Sequence, residues 1–149
     1  MDKLGRILVA EDDENDVELT LLALEEYNLA NEVVVTFDGE EALDYLYCRG
    51  KFDTRPAGNP SVMLLDLKLP KIDGLEVLQK IRSDERLKMI PVVVLTSSHE
   101  EMDKIMSYKL GANAYVVKPV DFHLFVNAVK ELGVFWAIVN EPPPGSIQR

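Results

Sequence analysis

Cysteine, long apolar runs and positive charge are all scarce in this chain of 149 residues. The single cysteine, Cys48, excludes an internal disulfide and a multi-cysteine metal site, and it is typical of a protein from a reducing cytoplasm. No apolar run approaches the roughly 20 residues that a membrane span needs, and the first residues do not resemble a secretory signal. Sixteen basic and 26 acidic residues leave a formal charge of −10, which argues against nucleic acid or an anionic membrane as a partner. These absences together predict a cytoplasmic protein.

Five short apolar runs, rich in β-branched residues, alternate with longer amphipathic stretches. Runs of this kind are typical of strands that are buried on both faces, as in parallel sheets. The runs cover residues 7–10, 33–35, 62–65, 92–95 and 114–117. The stretches after them carry apolar residues at helical spacing, and the last of these stretches covers residues 122–132. The alternation predicts a (βα)5 α/β domain, in which helices cover both faces of a parallel sheet.

Three of the predicted helices begin with a pattern that resembles a capping box. In this motif a polar side chain and a glutamate three residues later satisfy free amide groups of the first turn. The pairs are Asp38 with Glu41, Asp73 with Glu76, and Ser98 with Glu101. They predict where the second, third and fourth helices start.

The same pattern predicts one domain over residues 1–140. Residues 49–60 form a polar segment with proline and glycine before the third strand, and it is long enough to be an insertion. Residues 141–149 (EPPPGSIQR) contain three consecutive prolines, which lack amide donors and cannot continue a helix. We therefore predict a flexible C-terminal tail.

Four polar residues stand at the ends of four predicted strands. They are Asp12, Asp66, Thr96 and Lys118. In an open parallel sheet, ligands bind outside the carboxyl ends of the strands, near the point where the strand order reverses. Two acids, a hydroxyl and a lysine at that edge suit a hard cation and a phosphoryl group. Each residue alone has a simpler explanation, such as a solvated turn or a surface lysine, but the joint pattern favours a phosphoryl site.

The acidic residues of this set indicate both a metal and a nucleophile. Glu11, Asp12 and Asp66 would repel one another without a cation, and carboxylate oxygens with a backbone carbonyl and waters meet the octahedral demand of Mg²⁺. Neither histidine has a partner at ligand spacing, which argues against a zinc centre. Asp66 can act as the nucleophile, because carboxylates form aspartyl-phosphates in other enzymes. Lys118 and Thr96 can then neutralise and hydrogen-bond the transferring group.

Four motifs carry a resemblance to a known family. They are ILVAEDD, LLDLKLPKIDG, PVVVLTSS and AYVVKP, in this order along the chain. In order and spacing they resemble the receiver domains of two-component response regulators, over about residues 6–139. The resemblance implies a flavodoxin-like, doubly wound five-stranded parallel sheet with the strand order 2-1-3-4-5. It also implies a phosphorelay switch that accepts a phosphoryl group from the phosphohistidine of a histidine kinase.

The resemblance further implies a role for each matching residue. Asp66 is implied to be the phospho-acceptor, beside a site for Mg²⁺ in which Mn²⁺ can substitute. The implied metal ligands are Glu11, Asp12, Asp66 and the backbone carbonyl of Lys68. The implied phosphate-binding and switch residues are Thr96, Lys118 and Tyr115, and the bond between Lys118 and Pro119 is implied to be cis. Glu11 stands where aspartate is the commoner residue of the family.

The end of the chain suggests a surface for partners. Phe135, Trp136 and Val139 extend the last predicted helix with bulky apolar side chains, and we predict a homodimer through that helix. Core packing is the alternative for Trp136, which continues the apolar stripe of the helix. The insertion at 49–60 and the Phe135-Trp136 ending are similar to regulators paired with phytochrome-type histidine kinases. A kinase of that type and an unidentified downstream protein are the predicted partners.

Two other functions remain open from the sequence. Aspartate-dependent phosphatases normally carry a second acid two residues after the nucleophile, where this chain has Lys68. We therefore expect the chain to catalyse its own phosphorylation and slow dephosphorylation, without turnover of an external substrate. The other alternative is a constitutive interaction module with the receiver fold that is never phosphorylated. The complete set of acidic, hydroxyl and lysine side chains argues against it.

Overall fold

The computed structural model describes residues 4–26, 30–118 and 127. Strands and helices alternate along the described chain, as the sequence predicts. The strands are β1 (Leu4–Ala10), β2 (Ala30–Thr36), β3 (Val62–Leu65), β4 (Val92–Thr96) and β5 (Ala114–Val117). The helices are α1 (Glu14–Glu26), α2 (Gly39–Leu46), α3 (Gly74–Ser83) and α4 (Glu101–Lys109). A 3-10 turn at Gly50–Phe52 lies in the insertion before β3.

The five strands form one parallel sheet in the order β2-β1-β3-β4-β5. Strand β1 lies between β2 and β3, so that Ile7 pairs with Val33 on one side and with Val62 on the other. The predicted doubly wound order 2-1-3-4-5 is confirmed. The order in which strands are added reverses between β1 and β3, and this switch point is where a ligand site is expected in such a sheet.

Both faces of the sheet are buried, which explains the nearly continuous apolar runs of the strands. On one face Leu8 and Met63 pack in a cluster with Leu43 of α2 and Leu78 of α3. On the opposite face Ile7, Val9 and Leu64 pack with Leu24 of α1. Because neighbouring strand residues point to opposite faces, each strand supplies both clusters.

Helices α2 and α3 begin at the predicted caps. The Asp38 carboxylate accepts a hydrogen bond from the amide of Glu41 at 2.7 Å, directly before α2. The Asp73 carboxylate accepts from the amide of Glu76 at 2.9 Å, directly before α3. Both side chains satisfy amide groups that have no partner within the helix.

The cap predicted for α4 is wrong. The residue before this helix is Glu100, and its side chain makes no capping hydrogen bond. The Ser98 hydroxyl instead donates to a carboxylate oxygen of Asp103 at 2.6 Å and accepts from the amide of Glu100 at 3.2 Å. The hydroxyl oxygen accepts from the amide two residues later, whereas the capping pattern requires the amide three residues later.

The insertion before β3 is fastened to the end of α2. The guanidinium of Arg55 lies 4.0 Å from the centre of the Tyr45 ring, and its Nε donates to the Tyr45 carbonyl oxygen at 2.7 Å. Arg6 of β1 donates to the Tyr45 hydroxyl at 2.7 Å, so Tyr45 is held at its hydroxyl as well as at its ring. These contacts give a polar, proline-bearing segment a defined position at the edge of the core.

Several predictions fall outside the described residues. They concern Pro119 and its peptide bond, the interface residues Phe135, Trp136 and Val139, the tail at 141–149, and the fifth helix at 122–132 apart from Asn127. Across residues 4–26 and 30–118, each helix is too short or too polar to cross a membrane.

Candidate functional site

The site residues are positioned by hydrogen bonds that continue the strand ladders for one residue beyond the strands. These bonds run from the Glu11 amide to the Thr36 carbonyl at 3.0 Å, from the Asp66 amide to the Ala10 carbonyl at 3.0 Å, and from the Lys118 amide to the Thr96 carbonyl at 2.8 Å. The backbone of each polar residue is therefore as well fixed as the sheet itself. The parallel strands bring acids and a lysine that are far apart in sequence to the same edge.

The ammonium group of Lys118 lies at the centre of this edge. Its Nζ donates to a carboxylate oxygen of Glu11, and it lies 2.8 Å from Asp16 Oδ2 and 3.2 Å from Asp66 Oδ2. The side chains of Lys118, Glu11 and Asp66 are only 9, 5 and 6% exposed. A buried charge is stable only when it is paired and hydrogen-bonded, and here one cation compensates three carboxylates.

Burial, hydrogen bonds and neighbouring charges shift the pKa values of Glu11 and Lys118. Burial raises the pKa of Glu11 to about 7, and the charge of Asp66 adds to the rise, although hydrogen bonds from Lys118 and from the Asp13 amide oppose it. Burial alone would lower the pKa of Lys118, but hydrogen bonds to Asp16 and Glu11 and the charge of Asp66 outweigh it and raise that pKa. The lysine is therefore firmly protonated, while burial disfavours the charged form of Glu11.

Three carboxylates converge on a space that fits a divalent cation. One oxygen each from Glu11, Asp12 and Asp66 lies within 4.8 Å of the other two. Glu11 and Asp66 are buried and Asp12 is exposed, so one side of the space is open to water. An all-oxygen donor set with access for water suits Mg²⁺, which keeps several waters in its shell, and Mn²⁺, which prefers similar ligands. The donor set observed here fits the predicted metal.

Each buried carboxylate of the cluster is held at both oxygens. Glu11 Oε2 accepts from the Asp13 amide at 3.0 Å, while its other oxygen accepts from Lys118. Asp66 Oδ1 accepts from the Lys68 amide at 3.1 Å, while Oδ2 faces Lys118. The two side chains are therefore preorganised, with no free rotation to lose when a ligand arrives. The backbone carbonyl of Lys68 as a metal ligand stays a prediction.

Thr96 and Tyr115 are linked through the loop that follows β4. Thr96 is fully buried, and its hydroxyl oxygen accepts from the Ser98 amide at 3.3 Å. The Tyr115 hydroxyl donates to the Ser98 carbonyl oxygen at 3.2 Å. Ser98 therefore contacts both Thr96 and Tyr115. A displacement of the Thr96 hydroxyl breaks the first of these two contacts.

Helix α3 packs against the backbone of the central acid. A Cβ atom on Gly74 would lie 2.3 Å from the Asp66 carbonyl oxygen and 2.6 Å from the Leu67 Cα, so only glycine fits this position. The Gly74 amide also donates to the Leu67 carbonyl oxygen at 2.9 Å. The close approach keeps the chain after Asp66 in one conformation.

Sequence reasoning missed two acidic residues near the site. Asp16, in the first turn of α1, contacts Lys118 directly. Asp103 of α4 accepts from Ser98 and lies 3.5 Å from the ammonium of Lys68. The position of Asp16 one helical turn beyond Asp12 is a weak signal for the first contact. For the second, the chain carries no local signal.

The comparisons with known proteins agree with this geometry. Residues 7–130 match the response regulator receiver domain family, and the chain belongs to that family. It is also 39% identical over 130 residues to the response regulator Rcp1 of Synechocystis sp., covering 87% of each chain. The chain is therefore similar to a response regulator over most of its length.

Solved structures show the same likeness over nearly the whole length. The bacteriophytochrome response regulator RtBRR is 62% identical, with 96% of this chain and 86% of that one covered and a TM-score of 0.81. The phosphorylated cyanobacterial phytochrome response regulator RcpA is 39% identical, covering 95% and 99% with a TM-score of 0.78. The Mn²⁺-bound form of Rcp1 is 37% identical, covering 93% and 98% with a TM-score of 0.73. The chain is thus similar to response regulators of phytochromes.

Proposed function

We propose that this response regulator is controlled by phosphorylation of Asp66. The proposal rests on the ammonium group of Lys118, which contacts both Glu11 and Asp66. These two acids form a three-carboxylate cluster with Asp12. A scaffold protein gains nothing from such a cluster, because desolvated carboxylates without a ligand lower stability. A phosphoryl-transfer site needs charge neutralisation and positioning, which this arrangement provides.

The proposed reaction is transfer from a phosphohistidine to the Asp66 carboxylate. A carboxylate oxygen of Asp66 attacks phosphorus, and a new O–P bond forms as the P–N bond to the imidazole breaks. The bonding electrons stay on the imidazole nitrogen, which then takes up a proton. Lys118 compensates charge on one phosphoryl oxygen, and the Thr96 hydroxyl donates to another. Water later hydrolyses the acyl phosphate, so the chain catalyses its own modification and its slow reversal without external turnover.

Mg²⁺, or Mn²⁺ in its place, belongs to this proposal as the resident cation. Glu11, Asp12 and Asp66 would hold it, together with the backbone carbonyl of Lys68. When bound, the ion neutralises the carboxylates and the oxygens of the transferring group. The Mn²⁺-bound structure of Rcp1, which is 37% identical to this chain, supports a divalent cation in this proposal.

The structural change caused by phosphorylation would be transmitted to the surface through the loop after β4. When the Thr96 hydroxyl turns to a phosphoryl oxygen, its contact with the Ser98 amide is lost. Ser98 is also held by Tyr115 and by Asp103 of α4, so the change is passed to β5 and to α4. The acyl phosphate then shifts an existing equilibrium between two arrangements of this loop.

The similarity to solved structures of phytochrome response regulators favours a phytochrome-type histidine kinase as the phosphodonor. RtBRR and RcpA carry bacteriophytochrome and phytochrome in their names, and this chain is 62% and 39% identical to them. The proposal also includes three predictions made from the sequence. They are a cytoplasmic location, a homodimer through the last helix and a downstream partner protein.

The experiment is phosphotransfer from a labelled kinase. The catalytic and phosphohistidine domains of a bacteriophytochrome kinase are autophosphorylated with radiolabelled ATP, purified from ATP, and mixed with the chain in Mg²⁺ or in EDTA. We expect the label to move to the wild type within minutes in Mg²⁺ and not in EDTA. Asp66→Asn serves as the control and should take up no label. Transfer of equal label to Asp66→Asn would contradict the assignment of the acceptor.

A further inference from the structure

We propose that the insertion before β3 builds a second binding site, which takes a small aromatic anion. The site is a cavity of about 500 Å³, called here the insertion cavity, and it is lined by residues 46–48, 55, 57–59 and 85–87. These segments end α2 or precede β3 and β4, so they lie at the edge of the sheet where the strands begin. Asp66 lies at the opposite edge, and the proposal does not depend on its phosphorylation.

The size and the lining of the insertion cavity are typical of a small-molecule site. Such sites enclose roughly 300–1,000 Å³ and are mainly apolar, with a few polar groups that orient the ligand. Most of the lining surface here is also apolar. Leu46 and Leu87, which belong to the core, contribute to it, and Tyr47 adds an aromatic ring. The apolar part of the lining suits the rings of an aromatic ligand.

Hydrogen bonds join the three segments and fix the walls of the cavity. The Tyr47 hydroxyl donates to Asp84 Oδ2 at 2.9 Å, which joins the end of α2 to the segment after α3. The side-chain amide of Asn59 donates to the Arg86 carbonyl oxygen at 2.6 Å, which joins the insertion to the same segment. The insertion is also fastened to α2 by Arg55. Because the walls are already in place, little conformational freedom is lost when a ligand binds.

Cys48, which lines the cavity, has a backbone conformation that favours glycine. Its φ is +55°, in the left-handed region. The Cys48 amide donates to the Tyr45 carbonyl oxygen at 3.2 Å. The Arg49 amide donates to the Asp44 carbonyl oxygen at 2.9 Å, which completes a helix end that commonly has glycine at the position of Cys48. A side chain is thus kept on the cavity wall against the preference of the backbone, and such outliers are concentrated at ligand sites.

The lining of the cavity is rich in positive charge although the protein is acidic. It contains two arginines, Arg55 and Arg86, and one acid, Glu85. Glu85 forms an ion pair with Lys88 at 2.8 Å. Asp84 lies outside the lining, and its carboxylate accepts from a tyrosine hydroxyl and a backbone amide. Within residues 4–26 and 30–118, neither arginine forms an ion pair with a carboxylate, so both guanidinium charges are available to an anion.

These features together specify an aromatic ring system that carries a carboxylate, a sulfonate or a similar group. The rings would cover the apolar lining, and the anionic group would accept hydrogen bonds from a guanidinium. An inorganic anion would leave the apolar lining in contact with water. The formal charge of −10 repels anions from the rest of the surface, so the binding of an anion reports a local site.

The first test compares two fluorescent probes that share one ring system. Anilinonaphthalene sulfonate carries an anionic group, and phenylnaphthylamine lacks it. Both are titrated into the wild type, Arg86→Gln and Lys80→Gln, and thermal melts check that the variants are folded. Lys80→Gln is the matched control for the loss of one positive charge, because Lys80 is exposed on α3 and lies outside the lining.

The sulfonate should bind to the wild type and to Lys80→Gln with equal affinity. We expect Arg86→Gln to bind it about three- to tenfold more weakly, because a charge-assisted hydrogen bond is lost. The uncharged probe should bind equally to all three proteins. Asp66→Asn, which cannot take up phosphate in the proposed function, should bind the sulfonate as the wild type does.

Alkylation of Cys48 shows whether the probe binds in the cavity. Cys48 is the sole cysteine of the chain, so intact mass follows its reaction with iodoacetamide directly. Saturation with the sulfonate should slow this reaction several-fold, because a bound ligand covers the thiol. Binding that leaves the rate of alkylation unchanged would overturn the proposal. So would the absence of saturable binding to the wild type, or equal affinity for the wild type and a folded Arg86→Gln.

Discussion

Close contacts restrict which type of residue can occupy certain positions near the carboxyl edge of the sheet. Asp66 is fixed through both carboxylate oxygens, and Gly74 leaves room for the backbone that follows it. Gly39 is equally restricted, because its Cβ would lie 1.9 Å from the Ile72 carbonyl oxygen in the loop after β3. The Gly39 amide also donates to the Pro70 carbonyl oxygen at 3.2 Å. The loop that follows the proposed phospho-acceptor therefore rests on the first turn of α2.

Gly39→Ala tests this close approach. The added methyl group meets backbone atoms, which cannot move aside as a flexible side chain can. We expect the free energy of unfolding to fall by about 2–3 kcal/mol, the cost of an overpacked site. Urea denaturation of the variant measures it. Glu40→Ala, at the exposed neighbouring position, is the control and should change stability little. An unfolding midpoint for Gly39→Ala equal to that of the wild type would refute the contact.

At the scale of elements, one arginine joins the end of α3 to two loops. The Arg82 guanidinium donates to the carbonyl oxygens of Lys88, Ile90 and Gly111 at 2.7–3.1 Å, and to the Asn113 side chain at 3.1 Å. Burial lowers the pKa of Arg82, which is the sign of a cation held among backbone groups. The loops before β4 and β5 are therefore tied to the same helix, and their strands carry Thr96 and Lys118 at the far end.

Arg82→Lys should lower stability although the charge is kept. A lysine cannot reproduce the planar fork of donors, so several carbonyl groups lose their partner. We expect a loss of about 1–3 kcal/mol in the free energy of unfolding, measured by urea denaturation. Lys80→Ala, on an exposed position of the same helix, provides the comparison. If both substitutions cost the same small amount, Arg82 does not hold the loops.

The sequence predicts most of the elements and of the strand-end cluster, for a physical reason. Strands buried on both faces appear as apolar runs, and the residue after each run must lie at the carboxyl edge of the sheet. The contact of Asp16 with Lys118 could not be predicted in this way, because it depends on how α1 is rotated against the sheet. The cap assigned to Ser98 was wrong because α4 begins only after Glu100, and the Ser98 hydroxyl oxygen accepts from the Glu100 amide in the loop before the helix.

At the scale of the whole molecule, the acidic cluster should couple cation binding to folding. The chain carries a formal charge of −10, and the cluster of Glu11, Asp12 and Asp66 concentrates part of it in a small space. A cation bound there relieves repulsion that exists only in the folded state. Ligands that bind only the folded state raise its stability by mass action.

Millimolar Mg²⁺ should therefore raise the thermal midpoint of the wild type. The gain in free energy is about 2.7 kcal/mol when the ion is at a hundred times its dissociation constant. Differential scanning calorimetry with increasing Mg²⁺ measures the effect, with Asp12→Asn as the variant that lacks one exposed ligand. A shift of the same size in Asp12→Asn would show that the ion acts elsewhere.

The predicted homodimer is a second property of the whole molecule. Trp136 and its neighbours Phe135 and Val139 are bulky and apolar, and tryptophan is enriched among interface hot spots. We expect Trp136→Ala to weaken dimerisation at least tenfold, an effect of about 1.4 kcal/mol that is typical of a central interface residue. Analytical ultracentrifugation over a range of concentrations measures it. An unchanged dimer in the folded variant would assign Trp136 to the core.

The most direct test of the central claim is the intact mass of the protein after phosphorylation. Wild type and Asp66→Asn are incubated with Mg²⁺ and either acetyl phosphate or a phosphorylated histidine kinase domain, and then analysed by mass spectrometry. Phosphorylation at Asp66 predicts the addition of one phosphoryl group to the wild type and none to Asp66→Asn. The same addition to Asp66→Asn, or no addition to the wild type from either donor, would contradict it.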